Sequence, residues 1–356
     1  MSLDRYITLG RSGLRVSPLC LGAMTFGEDW GFGADVDTSK RMMDIYMDRG
    51  GNFIDGANIY TKGHSEQIIG EHIGRHGARR DRVVIATKFF GNMHPGDPNA
   101  GGGHRKSMMT ALDESLDRLQ TDYIDLYWLH AMDPHTPIEE TMRALDEAVR
   151  AGKIRYIGFS DVPAWICSQA QTMADFRGWS PVIAIQIEYS LLERTVEGDL
   201  TPMAMEMGMG VMPWSPLKGG ALSGKYTRQN PGGAGDGRSS WISKKLDDKA
   251  FNVIDVLIDT AKQIGATPAQ VALAWVQAQP GVASSVIGAR KIDQLEDNLG
   301  ALDVRLSAEQ LAKLNEASKP TLPFPHDFLK ASAANMQGGT TINGVETERW
   351  HLSPDG

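Results

Sequence analysis

The chain has 356 residues, of which 41% are hydrophobic and 22% charged, so it can bury one large core. Its formal net charge of -8 argues against a nucleic-acid partner. Its two cysteines, Cys20 and Cys167, argue against a disulfide framework and for a reducing compartment. The first ten residues lack a basic segment followed by an apolar one, and no apolar run is long enough to span a bilayer. We therefore expect a cytoplasmic protein.

The chain begins with a candidate β-hairpin at residues 6–16, where two short strand-like runs surround Gly10 and Gly13. Short apolar runs then alternate with amphipathic stretches. The strand patterns are PLCLGA, NFIDGA, VVIATK, IDLYWLH, IRYIGFS, VIAIQIEY, MGVMPWS and SSVIGA. Nearly continuous apolar runs of this kind are typical of parallel strands that are covered on both faces.

Helical patterns separate these strands, for example at residues 38–50, 65–77, 108–120 and 137–152. Eight strands with intervening helices favour a closed (β/α)8 TIM barrel over an open sheet. In such a barrel the N-terminal β-hairpin would cap one end.

An extra C-terminal helix is predicted at residues 306–319, because Ser307 and Gln310 have the spacing of a capping box. The sequence after Pro320 has little pattern. We therefore expect one barrel domain over residues 1–356, with an ordered core at about 6–320 and a C-terminal tail at 321–356.

Polar residues interrupt the apolar strands at one end only. Asp55, Lys88, His130, Ser160 and Gln186 lie at or near the ends of successive strand patterns, about one βα unit apart. The carboxyl ends of barrel strands meet at one face, where barrel enzymes place their chemistry. These residues are therefore candidates for an active site.

Tyr60 adds a phenol to this set. The ordinary pKa of a phenol is about 10, and a nearby ammonium lowers it by favouring the phenolate. With Asp55 holding Lys88 charged, the pattern predicts a lowered pKa for Tyr60 and proton transfer near neutral pH. His130 would position a substrate carbonyl by hydrogen bonding. A phenol supplies no hydride, so a redox reaction would need a cofactor.

The stretch WSPLKGGALSGKY, residues 214–226, nearly matches a nucleotide-triphosphate loop. Gly219, Gly224 and Lys225 have the required spacing, but Tyr226 stands where such a loop needs Ser or Thr for its metal ion. Glycines let backbone amides approach an anion, so the stretch is consistent with a different phosphate-holding loop.

The segments FIDGANIY, GFSD, WSPL and IGARKIDQLEDN, together with Lys88, His130 and Gln186, resemble the aldo-keto reductase superfamily from about Tyr6 to Asn315. The motifs are similar to those of the long-loop bacterial reductases and of the potassium-channel β subunits. The resemblance implies a (β/α)8 barrel that binds NADP(H) without a Rossmann domain, and no G-x-G-x-x-G occurs here. It also implies that Tyr60 is the general acid, assisted by Asp55 and Lys88.

The same resemblance implies a cofactor site in three parts. Around the nicotinamide it places Gly22, Met24, Asp55, Ser160, Asp161, Gln186 and the ring of Trp214. At the pyrophosphate it places Ser215, Pro216, Leu217 and Gly219, with Lys225 and Arg238 neutralising charge. At the adenosine and its 2′-phosphate it places Gly288, Arg290, Gln294, Asp297 and Asn298. Arg290 suits bidentate binding of the 2′-phosphate, so NADPH is expected over NADH.

Three positions depart from the family pattern. Asp161 stands where Asn is frequent, and a carboxylate accepts hydrogen bonds but cannot donate them. Gly56 stands where Thr is usual, and Asp297 where Glu is frequent. These changes affect the expected contact geometry more than the expected activity.

The substrate is predicted to be a small carbonyl compound, with Trp30, Phe89 and Phe90 as candidate contacts by their location in long loops. No metal site is predicted, because His72 and His76 share a helix face without the Glu of a metalloprotease pair. Two alternatives remain open: an NADPH-binding regulatory subunit with slow turnover, and a cofactor-free barrel lyase or isomerase. The first of these carries Asn where this chain has His130.

Overall fold

A computed structural model describes residues 2–74, 77–233, 246–338, 340–344 and 346 of the chain. It separates into two compact units, Met1–Ser318 and Lys319–Gly356. The first unit contains the hairpin, the barrel and the sequence motifs discussed above.

The barrel in the described residues consists of eight parallel strands. They are β3 (Leu19–Gly22), β4 (Phe53–Asp55), β5 (Val84–Phe89), β6 (Ile124–Leu129), β7 (Ile154–Ser160), β8 (Val182–Glu188), β9 (Gly210–Trp214) and β10 (Ser285–Ile287). The strand order is β10-β3-β4-β5-β6-β7-β8-β9, and a parallel bridge between Val211 and Val282 returns β9 to the segment just before β10. The predicted (β/α)8 barrel is confirmed.

Helices cover the outside of this sheet. In the first unit, and within its described residues, they are α1 (Val36–Asp48), α2 (His64–His72), α3 (Arg105–Leu119), α4 (Ile138–Arg150), α5 (Ala164–Arg177), α6 (Leu200–Glu206), α7 (Asp248–Ile264), α8 (Pro268–Gln277), α9 (Ile292–Gly300) and α10 (Ala308–Ala317). None of the helices in the described part of the chain has both the length and the apolar character that crossing a membrane requires.

Strand alternation divides the core into an inner and an outer cluster. Along β5, Val84 and Ala86 pack inside the barrel, whereas Ile85 and Phe89 pack outside it against the helices. Because side chains alternate along a strand, Lys88 falls on the inner face. The same alternation determines which polar side chains at the strand ends face the barrel mouth.

The N-terminal hairpin is formed by β1 (Ile7–Thr8) and β2 (Arg15–Val16), which pair antiparallel. Leu9 and Val16 are fully buried in the inner cluster of the barrel, and the Arg11 amide donates to the Gly208 carbonyl at 2.6 Å. Gly208 lies two residues before β9, so the hairpin closes the amino-terminal end of the barrel. This position confirms the predicted cap.

The extra helix also begins as predicted. The Ser307 hydroxyl accepts from the Gln310 amide, and the Gln310 side chain accepts from the Ser307 amide, which makes a capping box for α10. The second unit has a helix, α11 (His326–Gln337), where the sequence shows little pattern. Its alanines and long unbranched side chains favour helix even though their periodicity is weak.

We expect Gly10→Ala to lower the free energy of unfolding by about 2 kcal/mol or more. Gly10 has φ +57°, and a Cβ there would lie 2.1 Å from the Ile183 carbonyl oxygen and 2.7 Å from the Gly210 amide nitrogen. Urea denaturation measures the change. Gly13→Ala is the control, since a Cβ there meets no atom within 4 Å. Equal effects of the two substitutions would contradict close packing of the hairpin against the barrel.

Candidate active site

Four polar side chains meet at the carboxyl end of the barrel strands. Asp55 is the last residue of β4, Lys88 lies one residue before the end of β5, and His130 follows β6. Asp55 and Lys88 are fully buried, and the ring of Tyr60 lies 5.0 Å from the Lys88 ammonium. The structure therefore brings together the whole predicted catalytic set.

The ammonium of Lys88 uses all three of its protons. It donates to the Asp55 carboxylate, to the Gly56 carbonyl at 2.7 Å and to the Tyr60 hydroxyl oxygen at 3.3 Å. Because the phenol oxygen accepts from Lys88, the phenol proton is directed elsewhere. The geometry leaves Tyr60 ready to donate that proton to another acceptor.

Burial and mutual attraction have opposite effects on the pKa values of the buried pair, Asp55 and Lys88. Burial raises the pKa of Asp55 above its ordinary value, and the charge of Lys88 opposes that shift. Burial is the largest effect on the pKa of Lys88 and lowers it, but the charges of Asp55 and Tyr60 and the hydrogen bonds to both side chains together outweigh it, so the net shift is upward. The side chains of Gln186 and Trp128 also lower the pKa of the Asp55 carboxyl. However, Gln186 Nε2, Trp128 Nε1 and Asp55 Oδ1 are buried without a partner at hydrogen-bond geometry.

The predicted lowering of the Tyr60 pKa is wrong in its net direction. Lys88 does lower this pKa, but burial of the phenol has a larger effect and raises it above 10.0. Desolvation disfavours the phenolate more than one ammonium favours it. Tyr60 is therefore a protonated phenol at neutral pH, which suits a proton donor.

His130 is a neutral hydrogen-bonding group in this site. Its ring centre lies 5.8 Å from that of Tyr60 in an edge-on arrangement. Burial, with a further contribution from Lys88, lowers the pKa of His130 from 6.5 to about 3. An imidazole without charge can donate one hydrogen bond to a carbonyl oxygen but does not act as an acid near neutral pH.

The residues predicted to face a nicotinamide are linked to one another. Ser160 and Gln186 are neighbours in the register of β7 and β8. The Trp214 indole donates to Asp161 Oδ1 at 2.9 Å, and the Ser160 hydroxyl lies 3.4 Å from Asp161 Oδ2. Asp161 thus orients the ring of Trp214 by accepting a hydrogen bond from its indole. An Asn at this position could accept that hydrogen bond only through its single carbonyl oxygen.

Gly22 is the last residue of β3, and Met24 lies two residues beyond it. A Cβ on Gly22 would lie 2.7 Å from Val286 Cγ1, so this strand end requires a small residue. Met24 is 38% exposed and is available to a ligand at the mouth.

The loop after β9 folds as a tight turn with left-handed residues. Ser215 and Lys218 have positive φ, and the Ser215 hydroxyl accepts from the Gly219 amide at 3.0 Å. Pro216 and Leu217 lie between them, and residues Lys218–Ser223 form a 3-10 segment. Lys225 is exposed, whereas Tyr226 is buried, and Arg238 lies outside the described residues. Sequence analysis missed the ion pair of Lys218 with Glu188 at 2.8 Å, because no local pattern announces it.

The turn after β10 is fixed by α9. The Arg290 amide donates to Gln294 Oε1 at 2.9 Å, and Asn298 Nδ2 donates to the Gly288 carbonyl at 3.3 Å. Asp297 differs from these residues. Its carboxylate accepts from Thr267 and Gln270 at the start of α8, so it joins two helices.

Of the three predicted substrate contacts, the structure places Trp30 beside the catalytic phenol. The rings of Trp30 and Tyr60 are 6.3 Å apart and edge-on. Phe90 is half-buried. Phe89 is fully buried and stacks on Tyr127 at 5.0 Å, because its neighbour Lys88 takes the inner face. Phe89 is thus not brought to the mouth.

Sequence analysis also missed the contact that anchors the loop of Trp30. Asp29 Oδ2 and His64 Nδ1 are 2.7 Å apart, which joins this loop to the first residue of α2. His64 also lowers the pKa of Asp29 through this hydrogen bond. The pair is 35 residues apart in sequence, so no motif spacing signals it.

The sequence pattern of the Aldo/keto reductase family matches residues 18–319, which include every strand of the barrel. The chain belongs to this family. The Bacillus subtilis protein named uncharacterized oxidoreductase YrpG is 41% identical over 321 residues, which is 87% of this chain and 95% of that protein.

Two fungal members of the family are also similar. Norsolorinic acid reductase of Aspergillus flavus is 36% identical over 353 residues, covering 96% of this chain and 87% of its own length. Aryl-alcohol dehydrogenase (NADP(+)) of Phanerodontia chrysosporium is 34% identical over 336 residues, which is 89% of this chain and 85% of that protein. As an aldo/keto reductase, the chain is an oxidoreductase that acts on carbonyl compounds.

We expect the ring of His130 to remain neutral between pH 5 and pH 8. Its folded pKa of about 3 lies below the unfolded value of 6.5. The unfolded chain therefore binds an extra proton as the pH falls from 6.5 towards 3, and the free energy of unfolding decreases in that window. NMR titration of the ring, assigned with a His130→Asn variant, tests this. A midpoint near pH 6.5 for this ring would contradict its burial.

Proposed function

We propose that this aldo/keto reductase uses NADPH to reduce aryl aldehydes or ketones, with Tyr60 as the proton donor. The observation that supports this proposal is the contact between the Lys88 ammonium and the Tyr60 oxygen at 3.3 Å. Asp55, which forms an ion pair with Lys88, would hold it charged. Lys88 favours the developing phenolate while the phenol proton remains free to leave.

Each catalytic residue has one task in the reduction. NADPH, when bound, supplies the hydride that the carbonyl carbon receives. Tyr60 gives its proton to the carbonyl oxygen, and Lys88 stabilises the oxygen that Tyr60 is left with. The neutral His130 donates a hydrogen bond to the same carbonyl oxygen and orients it. Asp55 keeps Lys88 in place.

The residues at the barrel mouth fit a dinucleotide. Gly220 and Gly288 lie in the two proposed phosphate-binding turns, and in each the space that a Cβ would fill contains no atom within 4 Å. A ligand can therefore approach the backbone closely at both turns. Ser160, Asp161 and Trp214 would hold the nicotinamide, and Arg290 would bind the 2′-phosphate.

An aryl substrate fits the aromatic surroundings of the phenol. Trp30, Tyr60 and His130 form a row of edge-on rings, and Phe32 lies 6.0 Å from Trp30. Flat rings favour aromatic ligands through offset or edge-on contacts. Among the relatives, the name aryl-alcohol dehydrogenase points to the same class of substrate.

We expect Tyr60→Phe to lower kcat for an aryl aldehyde by about 10²- to 10⁴-fold, because the proton donor is lost. Loss of reduced-nicotinamide absorbance measures turnover, and fluorescence titration shows whether NADPH still binds. Tyr6→Phe is the matched control, since that half-exposed phenol donates to the Gly50 carbonyl and lies next to the hairpin, at the end of the barrel opposite the site.

Other outcomes of this experiment distinguish the alternatives. Full activity of Tyr60→Phe would refute the proton-donor role. Tight NADPH binding without turnover of any carbonyl in a substrate panel would favour a regulatory subunit. Failure to bind either nucleotide would refute the cofactor proposal.

We expect Arg290→Leu to weaken NADPH binding by about 10- to 100-fold, which is the effect of losing one charge-assisted contact to a phosphate. NADH affinity should stay the same, because NADH lacks that phosphate. Titration of both nucleotides measures the difference. Arg49→Leu is the control, since Arg49 forms an ion pair with Glu296 of α9, a residue outside the proposed cofactor contacts. Equal losses for NADPH and NADH would contradict the assignment.

A further inference from the structure

The turn that carries Tyr60 has an unusual backbone. Thr61 has φ 46° and ψ 37°, Lys62 has φ 58° and ψ 36°, and Gly63 has φ 90°. Three consecutive left-handed residues follow the catalytic phenol. For a β-branched residue such as Thr61 this conformation is an outlier that persists only where the surroundings hold it.

The hydroxyl of Thr61 supplies that hold. Thr61 is fully buried, its Oγ1 donates to the Phe26 carbonyl at 2.8 Å, and the same atom accepts from the Ser65 amide at 2.9 Å. Phe26 belongs to the loop that carries Trp30. The Thr61 hydroxyl thus joins the turn that carries Tyr60 to the loop that carries Trp30, whose indole lies against the Tyr60 ring.

The next residues connect the same turn to the strand of Lys88. The Ser65 hydroxyl donates to the Ala23 carbonyl at 2.7 Å. The buried Glu66 carboxylate accepts from Thr87 Oγ1 and from Arg118 Nε, both at 2.6 Å. Thr87 directly precedes Lys88. The residues after Tyr60 and the residue before Lys88 are therefore held in one hydrogen-bonded group.

We propose that Thr61 is a positioning residue that holds the Tyr60 phenol against Lys88 and beside Trp30. The inference rests on the proposed role of Tyr60 and deepens it. Without the hydroxyl, the Phe26 carbonyl and the Ser65 amide lose a buried partner. The turn is then free to leave its left-handed conformation, which moves the phenol away from Lys88.

The first test compares Thr61→Val, which keeps the shape of the side chain, with Thr61→Ser, which keeps the hydroxyl. We expect Thr61→Val to lower kcat by about 10- to 100-fold, since displacements near 1 Å have effects of that size. KM and the NADPH Kd should stay within about threefold, because the binding surfaces are retained. Thr61→Ser should restore kcat to within about threefold of wild type.

Thr260→Val is the matched control. Thr260 is also fully buried and donates to a backbone carbonyl, that of Val256, but it lies within α7. If Thr260→Val lowers kcat as much as Thr61→Val, general loosening of the fold explains the effect and the proposal is overturned. If Thr61→Val does not fold, Ser65→Ala tests the same hydrogen-bonded group of residues, because it removes the hydrogen bond from the Ser65 hydroxyl to the Ala23 carbonyl.

A second readout does not depend on turnover. In protein labelled with ¹³C at the tyrosine ring carbon that bears the hydroxyl, the Tyr60 signal is assigned by its loss in Tyr60→Phe. We expect this signal to shift in Thr61→Val and to stay in place in Thr61→Ser and Thr260→Val. An unshifted signal overturns the proposal. If wild-type protein reduces no carbonyl, the proposed function fails, and this signal still decides whether Thr61 positions Tyr60.

Discussion

The structure depends on a buried ion pair, Asp55 with Lys88, at the centre of the barrel mouth. Removing two charges from water is costly, and their attraction offsets that cost only when every remaining donor is satisfied. The Gly56 carbonyl and the Tyr60 hydroxyl complete the donors of Lys88. The phenol is therefore part of what makes the buried lysine tolerable, and its position is coupled to the stability of the pair.

The barrel supplies the constraints that this pair needs. The strands are parallel and in register, so residues far apart in sequence arrive at one mouth, and the hairpin fills the opposite end with Leu9 and Val16. The hydrogen-bonded group around Thr61 and Glu66 then fixes a loop, two helices and a strand around the pair. Rigid strands place Asp55 and Lys88, while side-chain hydrogen bonds place Tyr60.

The sequence predicted the barrel, the hairpin and the capping box of Ser307, because each follows from local periodicity or spacing. Strand-end positions also predicted that Asp55, Lys88 and His130 meet. The alternation of β5 would have shown that Phe89 faces away from Lys88. The direction of the Tyr60 pKa, the left-handed Thr61 and the partners of Asp297 depend on burial and on long-range contacts, which no local pattern encodes.

The high pKa of the Tyr60 phenol gives the proposed chemistry a direction. A protonated phenol is ready for carbonyl reduction over the whole neutral range, whereas oxidation of an alcohol needs the phenolate as its base. That form is scarce except in alkaline solution, since burial disfavours it. The forward and reverse reactions thus require different ionisation states of one side chain, so neutral solution favours the proposed reduction and alkaline solution favours its reverse.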